Sequence, residues 1–362
     1  MTRYVHPENA AIDKPTISVV IATFNSARIL PKVLDSVVQQ RYPRENIEIL
    51  IVDGGSTDST KNIAAKYGCK VINNPRTEPV FAKFLGYMQA AGKFLMYLDH
   101  DEVIENPDSF NLKTGVASGN SNIRAVVGSG YKNPENYPII NNYLNEFGDP
   151  FSFFMYRLSK SADYFVPHMK SRYPCEREDD NSITFNFSDS QELPLIELCA
   201  AGSMVDAKWM KERFPETTTT PTLIAHFFYL MVSQSPLLAV TKNDALVHYS
   251  SETLPKYLNK IRWRVKNNIH HVEAVGVAGF EGRSRYLSPR MKYKKFLFIP
   301  YAFTLSLVDA FYLAMSRRKA LFLIHYILCV YTACLILYHY SLKLIGKKPI
   351  LKSYDEKKNI VS

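Results

Sequence analysis

Along the first hundred residues, short apolar runs alternate with stretches whose apolar positions recur every three or four residues. TISVVIATFN (16–25) is a β-branched run with the pattern of a buried strand. SARILPKVLDSVVQQ (26–40) carries Leu30, Val33, Leu34, Val37 and Val38 at helical spacing, with Ser26 placed to cap it. IEILIVDGGSTDST (47–60) predicts a second strand that exits into a glycine-rich acidic turn. Ser59-Thr60 then opens the helix KNIAAKYG, and CKVINN (69–74) is a third short strand. FAKFLGYMQAAG (81–92) reads as a helix, and Phe94–Leu98 as a fourth strand, apolar on both faces. The alternation β-α-β-α-β-α-β predicts an α/β fold with a parallel sheet and crossover helices.

The fourth strand runs directly into Asp99-His100-Asp101-Glu102. In open α/β sheets, ligands bind outside the carboxyl ends of the strands. Asp99 and Asp101, two residues apart, are positioned to offer hard oxygen ligands to a divalent cation. The competing reading of this stretch is a solvated turn carrying surface charge.

Beyond residue 105 the pattern weakens. The stretch 105–195 is rich in Asn, Pro, Tyr and Phe and reads as insertions and loops on the acceptor side. LIELCAAGSMVDAKWMKERF (195–214) returns to a strand, a turn and a helix. Two long apolar runs follow, FLFIPYAFTLSLVDAFYLAM (296–315) and ALFLIHYILCVYTACLILYHY (320–340), each near the ~20 residues that cross a bilayer. The second is uncharged, with a Tyr-rich, Lys-flanked end, as in a membrane segment. Pro300 and Asp309 leave three readings open for the first: a span, an interfacial helix, or a helix packed inside the protein. A two-span hairpin would put the SRRKA turn outside and leave the remaining chain in the cytosol.

Composition changes this picture in two places. The chain of 362 residues is 46% hydrophobic and 22% charged, which is globular and excludes wholesale disorder. Its net charge of +10 first resembles a nucleic-acid footprint. Between Arg290 and Lys352, however, there are eleven basic residues and one acidic residue, Asp309, so the segment around the apolar runs carries the whole excess. A nucleic-acid partner is therefore not expected. The five cysteines (Cys69, Cys175, Cys199, Cys329, Cys334) show no C-x-x-C spacing and fit reduced thiols facing the cytosol. The start, MTRYVHPENAAIDKP, is polar and has no apolar signal-peptide core. The expected division is a polar leader (1–15), a nucleotide-binding half (16–105) and an acceptor-side half (106–265). A basic juxtamembrane segment (266–295), one or two membrane helices (296–342) and a basic or polar tail (343–362) complete it.

The turn Asp53-Gly54-Gly55-Ser56-Thr57-Asp58 lets the backbone approach a ligand, and a following helix N-terminus favours phosphate oxygens. It is not G-x-G-x-x-G, so a dinucleotide site has little support. In combination, VVIATFN (19–25), VDGGSTDST (52–60), AKFLGYMQAAGKF (82–94) and YLDHDE (97–102) resemble a family 2 glycosyltransferase with the GT-A fold, of the surface-polysaccharide assembly type. The resemblance is clear over 16–105 and fainter to about 265. It implies that Asp53 receives the nucleobase of a nucleotide-sugar, that Ala22 and Thr23 border the nucleoside, and that Asp99 and Asp101 hold Mg2+ or Mn2+ on the diphosphate. Lys83 stands where the family often has Arg, which implies a nucleotide contact; a solvated helix lysine is the alternative. His248 resembles a histidine that approaches the metal in some relatives, and His100 is expected only to shape the loop.

Two further elements depart from the family. Inverting relatives often carry an acidic E-D pair as general base. Here the region reads FPETTTTPTLIAHFFYLMVSQ (214–234), with Glu216 and His226 as the substitutes; a core histidine is the alternative for His226. NKIRWRVKN (259–267) resembles the Q-x-x-R-W element of processive synthases, with Asn259 in place of Gln, and implies that Arg262 and Trp263 line the acceptor or diphosphate. An amphipathic basic helix on a membrane is the alternative. The expected function is a metal-assisted, inverting transfer of one sugar to a lipid-linked glycan, at the cytoplasmic face of the inner membrane. Its rivals are a non-catalytic membrane scaffold with a degenerate sugar-nucleotide fold and a nucleotidyltransferase. The second rival lacks its glycine-rich phosphate loop, since ATFNSARIL has no glycine.

Overall fold

A computed structural model describes residues 14–189, 202–250 and 252–352. The leader to residue 13, the start of the strand expected at 195–201 and the tail from 353 lie outside the described residues. The first half contains β1 (Ile17–Thr23), α1 (Leu30–Val38), β2 (Ile47–Asp53), α2 (Thr60–Lys66), β3 (Lys70–Asn73), α3 (Pro79–Gln89) and β4 (Phe94–Asp99). These are the elements expected from the apolar pattern, within a few residues at each end. β1 lies between β2 and β4, parallel to both, with Thr23 opposite Asp53 and Ala22 opposite Asp99. Four residues from three strands therefore end on one edge.

The local physics is simple. β1 and β4 are apolar on both faces and are buried along their length up to their last turns. α1 buries Leu30, Val33, Leu34 and Val37, one stripe of a helix. Gly86 lets α3 lie directly on β1, because a Cβ there would come 2.2 Å from Val20 Cγ1. Ser26 does not cap α1 with its side chain. Its carbonyl instead accepts from the amides of Ile29 (3.2 Å) and Leu30 (3.0 Å) in a preceding turn.

The stretch from 105 onward is not a set of loops. After β5 (Glu102–Ile104) it holds α4 (Ser109–Gly119), β6 (Ile123–Val127), β7 (Tyr131–Lys132), α5 (Ile140–Phe147), α6 (Pro150–Tyr156), α7 (Phe165–Arg172), β8 (Cys175–Glu178) and β9 (Ser182–Asn186). After it come β10 (Met204–Asp206), α8 (Ala207–Arg213), α9 (Phe227–Val232), β11 (Leu237–Thr241) and β12 (Leu246–His248). Elements of two to eleven residues, among them α5 with Asn141 and Asn145 buried beside its apolar residues, leave little periodicity to read. Among the described residues the main sheet has nine strands in the order β3-β2-β1-β4-β10-β6-β11-β9-β8, and a small sheet has the order β5-β12-β7. The result is a mixed α/β arrangement with a Rossmann-like parallel half.

The C-terminal part contains α10 (Leu254–His270), α11 (Phe280–Arg283), α12 (Pro289–Lys294), α13 (Phe298–Phe303), α14 (Leu305–Ser316) and α15 (Ile324–Leu344). The first apolar run is sharply bent: Pro289–Phe303 and Leu305–Ser316 meet at 79°, the shape of a broken span or a re-entrant pair. Ala320–Leu344 is long and apolar enough to cross a membrane, with 33% of its most apolar window buried against the protein.

The SRRKA turn, which a two-span hairpin would put outside, is held on the body of the protein. Arg317, in that turn, pairs with Glu146 on α5 at 2.8 Å, and Lys319 donates to Asn142 Oδ1 at 3.0 Å. Tyr143 and His325 meet at 2.6 Å near the start of α15. Beyond its end, Trp263 Nε1 donates to the Lys352 carbonyl (3.2 Å) and His271 Nε2 to that of Pro349 (2.9 Å). Both ends of α15 are held on one globular body, so the helix lies along it. The outward faces of α14 and α15 remain apolar, with Leu305, Val308, Phe311, Met315, Ile327 and Leu344 exposed.

Candidate active site

The β1 and β2 exits form one stitched rim. Asp53 is buried, and its two oxygens accept from the amides of Gly55 (3.1 Å) and Ser56 (2.9 Å) and the hydroxyls of Ser56 (2.5 Å) and Thr23 (3.1 Å). Gly55 takes a left-handed φ of 88°, which favours glycine at this turn. Asn25 joins the two loops: its amide donates to Ser56 Oγ (2.8 Å), and its Oδ1 accepts from the Thr57 amide (2.9 Å). Four donors fill the carboxylate of Asp53. Asp53, the residue expected to receive a nucleobase, thus holds its own turn, and a direct base contact would have to share or displace one of these donors.

At the β4 exit, Lys83 from α3 reaches Asp99 Oδ1 at 2.9 Å. Lys83 is itself buried and is not a solvated helix lysine. The Asp99 side chain stays 40% exposed, facing outward from the edge. Asp101 lies in the turn between β4 and β5, and His248 Nε2 on β12 stands 3.6 Å from its Oδ1. Burial works to raise the Asp101 pKa, but nearby His248 and His100 hold the carboxyl below its usual range. Two ligand atoms on one divalent ion, each about 2.1 Å from it, lie about 3–4 Å apart. The Asp101–His248 pair fits that separation. The buried Nδ1 of His248 has no hydrogen-bond partner among the described residues, so the other ring nitrogen is not committed through it. Among those residues no cluster of three or more His, Cys, Asp or Glu side chains gathers as a ready cation site. Of the three side chains expected to hold an ion, Asp101 and His248 stand close together, while Asp99 is paired with Lys83.

Three residues at this site had no assigned role in the sequence reading. Glu102 is buried, accepts from Tyr131 Oη (2.6 Å) and the Asp99 amide (3.0 Å), and so braces the turn from behind. Burial, with the Asp99 charge, pushes its carboxyl up to about 7. Lys260 on α10 donates to Ser250 (3.0 Å to the carbonyl, 2.5 Å to Oγ) beside the acidic turn. Burial brings the Lys260 ammonium down to about 8, against the opposing pull of Asp101. A lysine in NKIRWR stands out only once the helix face is known, and nothing local marks Tyr131.

Other expected residues lie elsewhere. His226 is fully buried; Nδ1 accepts from Arg285 (2.7 Å), which can only donate, so Nε2 carries the proton and donates to the Val277 carbonyl (3.2 Å). That nitrogen pair has no lone pair left for an acceptor hydroxyl, which corrects the base assignment. Glu216 is exposed in the turn Pro215–Thr218, whose Thr217 meets Tyr87 of α3 at 2.9 Å. Arg262 points away from the acidic turn and donates to Tyr331 Oη of α15 at 2.5 Å. Trp263 also turns toward the C-terminal segment, where its indole holds the Lys352 carbonyl. On α10 the residue at the site is Lys260, two positions before the arginine that the motif singled out.

Comparison with known proteins adds four findings. Residues 18–165 match the family model described as Glycosyl transferase family 2. Glycosyltransferase AglE of Haloferax volcanii is 30% identical over 139 residues, 35% of this chain and 46% of that protein. A Methanococcus voltae protein named dolichyl N-acetyl-alpha-D-glucosaminyl phosphate 3-beta-D-2,3-diacetamido-2,3-dideoxy-beta-D-glucuronosyltransferase is 38% identical over 87 residues, 22% of this chain and 27% of that one. The chain thus spans less than half the length of these curated relatives. A crystal structure of S. aureus TarS 1-349 in complex with UDP aligns with 96% of this chain and 96% of that one, at 14% identity and a TM-score of 0.44.

Proposed function

We propose that this chain, which carries a glycosyl transferase family 2 domain at residues 18–165, moves one sugar from a nucleotide-sugar donor to a glycan borne on a lipid phosphate at a membrane surface. The observation that carries the reading is the shared edge of β1, β2 and β4, with Asp99, Asp101, Lys83 and Lys260 gathered at it.

In this reading Ala22, Thr23 and the turn held by Asp53 border the nucleoside, and the diphosphate lies over the β4 exit. Breaking the sugar–phosphate bond leaves negative charge on the nucleoside diphosphate. Lys83 and Lys260 supply positive charge in a partly desolvated setting, where it is worth more than in water. Asp101, Asp99 and His248 are the residues we assign to a Mg2+ or Mn2+ ion, which would neutralise the leaving diphosphate electrostatically. Glu102 and Tyr131 keep the Asp99 backbone in place.

The lipid acceptor is supported by the apolar surface of α14 and α15 and by the basic excess around it. It is also supported by the Methanococcus relative, whose name specifies a dolichyl phosphate acceptor. We read these helices as lying in the membrane interface, since both ends of α15 are held on the same body. We assign the cytoplasmic face of an inner membrane, where basic flanks meet anionic lipid, and an inverting outcome by family likeness.

The engaged ring of His226 favours one other reading, a nucleotide-binding scaffold without turnover. The test is binding of a panel of nucleoside diphosphates, with and without Mn2+, to the native chain and to Asp101→Ala. Tight binding of one nucleotide that needs both the ion and Asp101, followed by sugar transfer to a lipid phosphate, is the expected result. Binding that ignores the ion across the whole panel would sink the catalytic reading, and metal-dependent binding with no transfer would favour the scaffold.

A further inference from the structure

We propose that a cavity behind the small sheet binds the phosphate and adjoining chain of a single-chain, isoprenoid-like lipid phosphate, which makes it the acceptor site. This deepens, and rests on, the glycosyltransferase reading above. The cavity has a volume of about 680 Å3 and is walled by α6, α10, α11, α13 and α15. That size is typical of small-molecule sites.

Its walls divide by chemistry. α13, α15 and the residues before α13 contribute Phe296, Ile299, Ile336, Leu337 and Tyr340. Phe296 is 66% exposed, Leu337 49% and Tyr340 42%. The apolar wall is therefore continuous with the outward apolar surface, and a hydrocarbon chain can pass from one to the other without crossing water.

α10 contributes a polar wall with Arg264, Asn267 and Asn268. Asn267 is 1% exposed, yet neither its Nδ2 nor its Oδ1 has a hydrogen-bond partner among the described residues, and Asn268 Oδ1 has none either. A buried amide left in that state is costly, which marks a place where a ligand's polar group belongs. Of the four basic side chains that line the cavity, Arg264 pairs with Asp149 (3.1 Å) and Lys295 with Glu281 (2.7 Å), and Lys160 and Arg283 give the lining a net positive charge, so the group that fits is an anion.

The same helix connects the cavity to the acidic turn. Lys260, Arg264 and Asn267 are at positions i, i+4 and i+7 and share one face. At 1.5 Å per residue this polar stripe covers about 10 Å, the scale of a phosphate with its attached sugar. The cavity also reaches Gly130 and Lys160, next to Tyr131, whose hydroxyl braces Glu102. A lipid phosphate lying along the stripe has its head toward the β4 exit and its chain toward the apolar helices.

The test uses the full chain in detergent with Trp209→Phe, which leaves Trp263, a cavity residue, as the only tryptophan. Farnesyl phosphate, farnesol and inorganic phosphate are titrated separately and followed by Trp263 emission. A saturable response to farnesyl phosphate is expected, with farnesol at least about tenfold weaker because it lacks the charge-assisted contacts. Inorganic phosphate is expected to give none. Asn267→Asp sets a like charge against the phosphate, and Ile336→Phe narrows the apolar wall at a half-buried position that tolerates the larger ring; each should weaken binding at least about tenfold. No saturable response, equal binding of farnesol, competition by inorganic phosphate at the same concentration, or indifference to both variants would overturn the proposal. Nucleoside diphosphate binding measured on the same sample separates the two readings. If it persists without a farnesyl phosphate response, the cavity assignment falls and the donor reading stands; if both are absent, both fall.

Discussion

Arg317 and Glu146 form an ion pair at 2.8 Å with side chains only 10% and 5% exposed, and this contact fastens the turn between the two apolar helices to the body that holds the acidic cluster. The turn and that body must therefore lie on the same side of any membrane the protein meets. In vesicles bearing the protein, Cys175 on β8, which is exposed, and a cysteine substituted for Arg318 should react with a membrane-impermeant maleimide from the same side. Protection of position 318 while Cys175 reacts would restore the two-span hairpin. Arg317→Met, which leaves Glu146 buried without its partner, is expected to cost about 3 kcal/mol in denaturant unfolding.

In the nucleotide-binding reading, Lys260 should make affinity depend on pH. Its folded pKa of about 8 lies below the ordinary 10.5, because burial disfavours the ammonium. Between those values the unfolded chain binds more protons, so this lysine's contribution to stability rises with pH through that window. Affinity for a diphosphate moves the opposite way, since the bound anion needs the charge. Isothermal titration should show affinity falling by about threefold to tenfold from pH 7 to pH 9.5. Lys260→Arg should flatten that profile and Lys260→Ala should lower it throughout. A steep profile retained in Lys260→Arg would assign the titration to another group.

The ion pair of Lys113 with Asp244 is fully buried, and it anchors the segment leading into β12 and His248. Ser109 Oγ (2.6 Å) accepts from the same ammonium, and Thr241 Oγ1 (2.6 Å) donates to the carboxylate. Removing one partner strands a charge. Lys113→Met should destabilise the protein by about 3–5 kcal/mol, and the double variant Lys113→Met with Asp244→Leu should recover much of that loss. Equal loss in the single and double variants would show that the hydroxyl partners, not the charge, dominate.

His226 should behave as a structural residue. With Nδ1 accepting from Arg285 and Nε2 donating to Val277, His226→Gln is expected to lower the unfolding midpoint by a few degrees. kcat should stay within about tenfold and the pH–rate profile should be unchanged, whereas loss of a general base typically costs about 10²–10⁴-fold. A loss of that size with an intact fold would return the histidine to the chemistry.

What could be read in advance follows the length and purity of each signal. β1 to β4 and their crossover helices were legible because strands buried on both faces are unbroken apolar runs, and α1 shows a full stripe from Leu30 to Val37. The position of Asp99 and Asp101 at the exit of β4 was legible because the charge begins abruptly where a buried strand ends. The second half was not, since α5 buries Asn141 and Asn145, whose amides hold the His248 carbonyl at 2.8 and 3.2 Å. Polar residues doing core duty erase the periodicity. Lys260 was missed in favour of Arg262 and Trp263 because a motif names residue types, while the helix face decides which side chain arrives.

The turn after β2 has a consequence for rates of exchange as well as for shape. With both Asp53 oxygens already occupied by the Gly55 and Ser56 amides and two hydroxyls, the loop is complete before any ligand comes. Little conformational entropy is left for it to lose on binding. Its amide hydrogens should accordingly exchange with solvent about as slowly in the empty protein as in the occupied one, although they belong to a turn at the rim of a sheet. Selectivity among nucleotides then falls to side chains around this fixed turn.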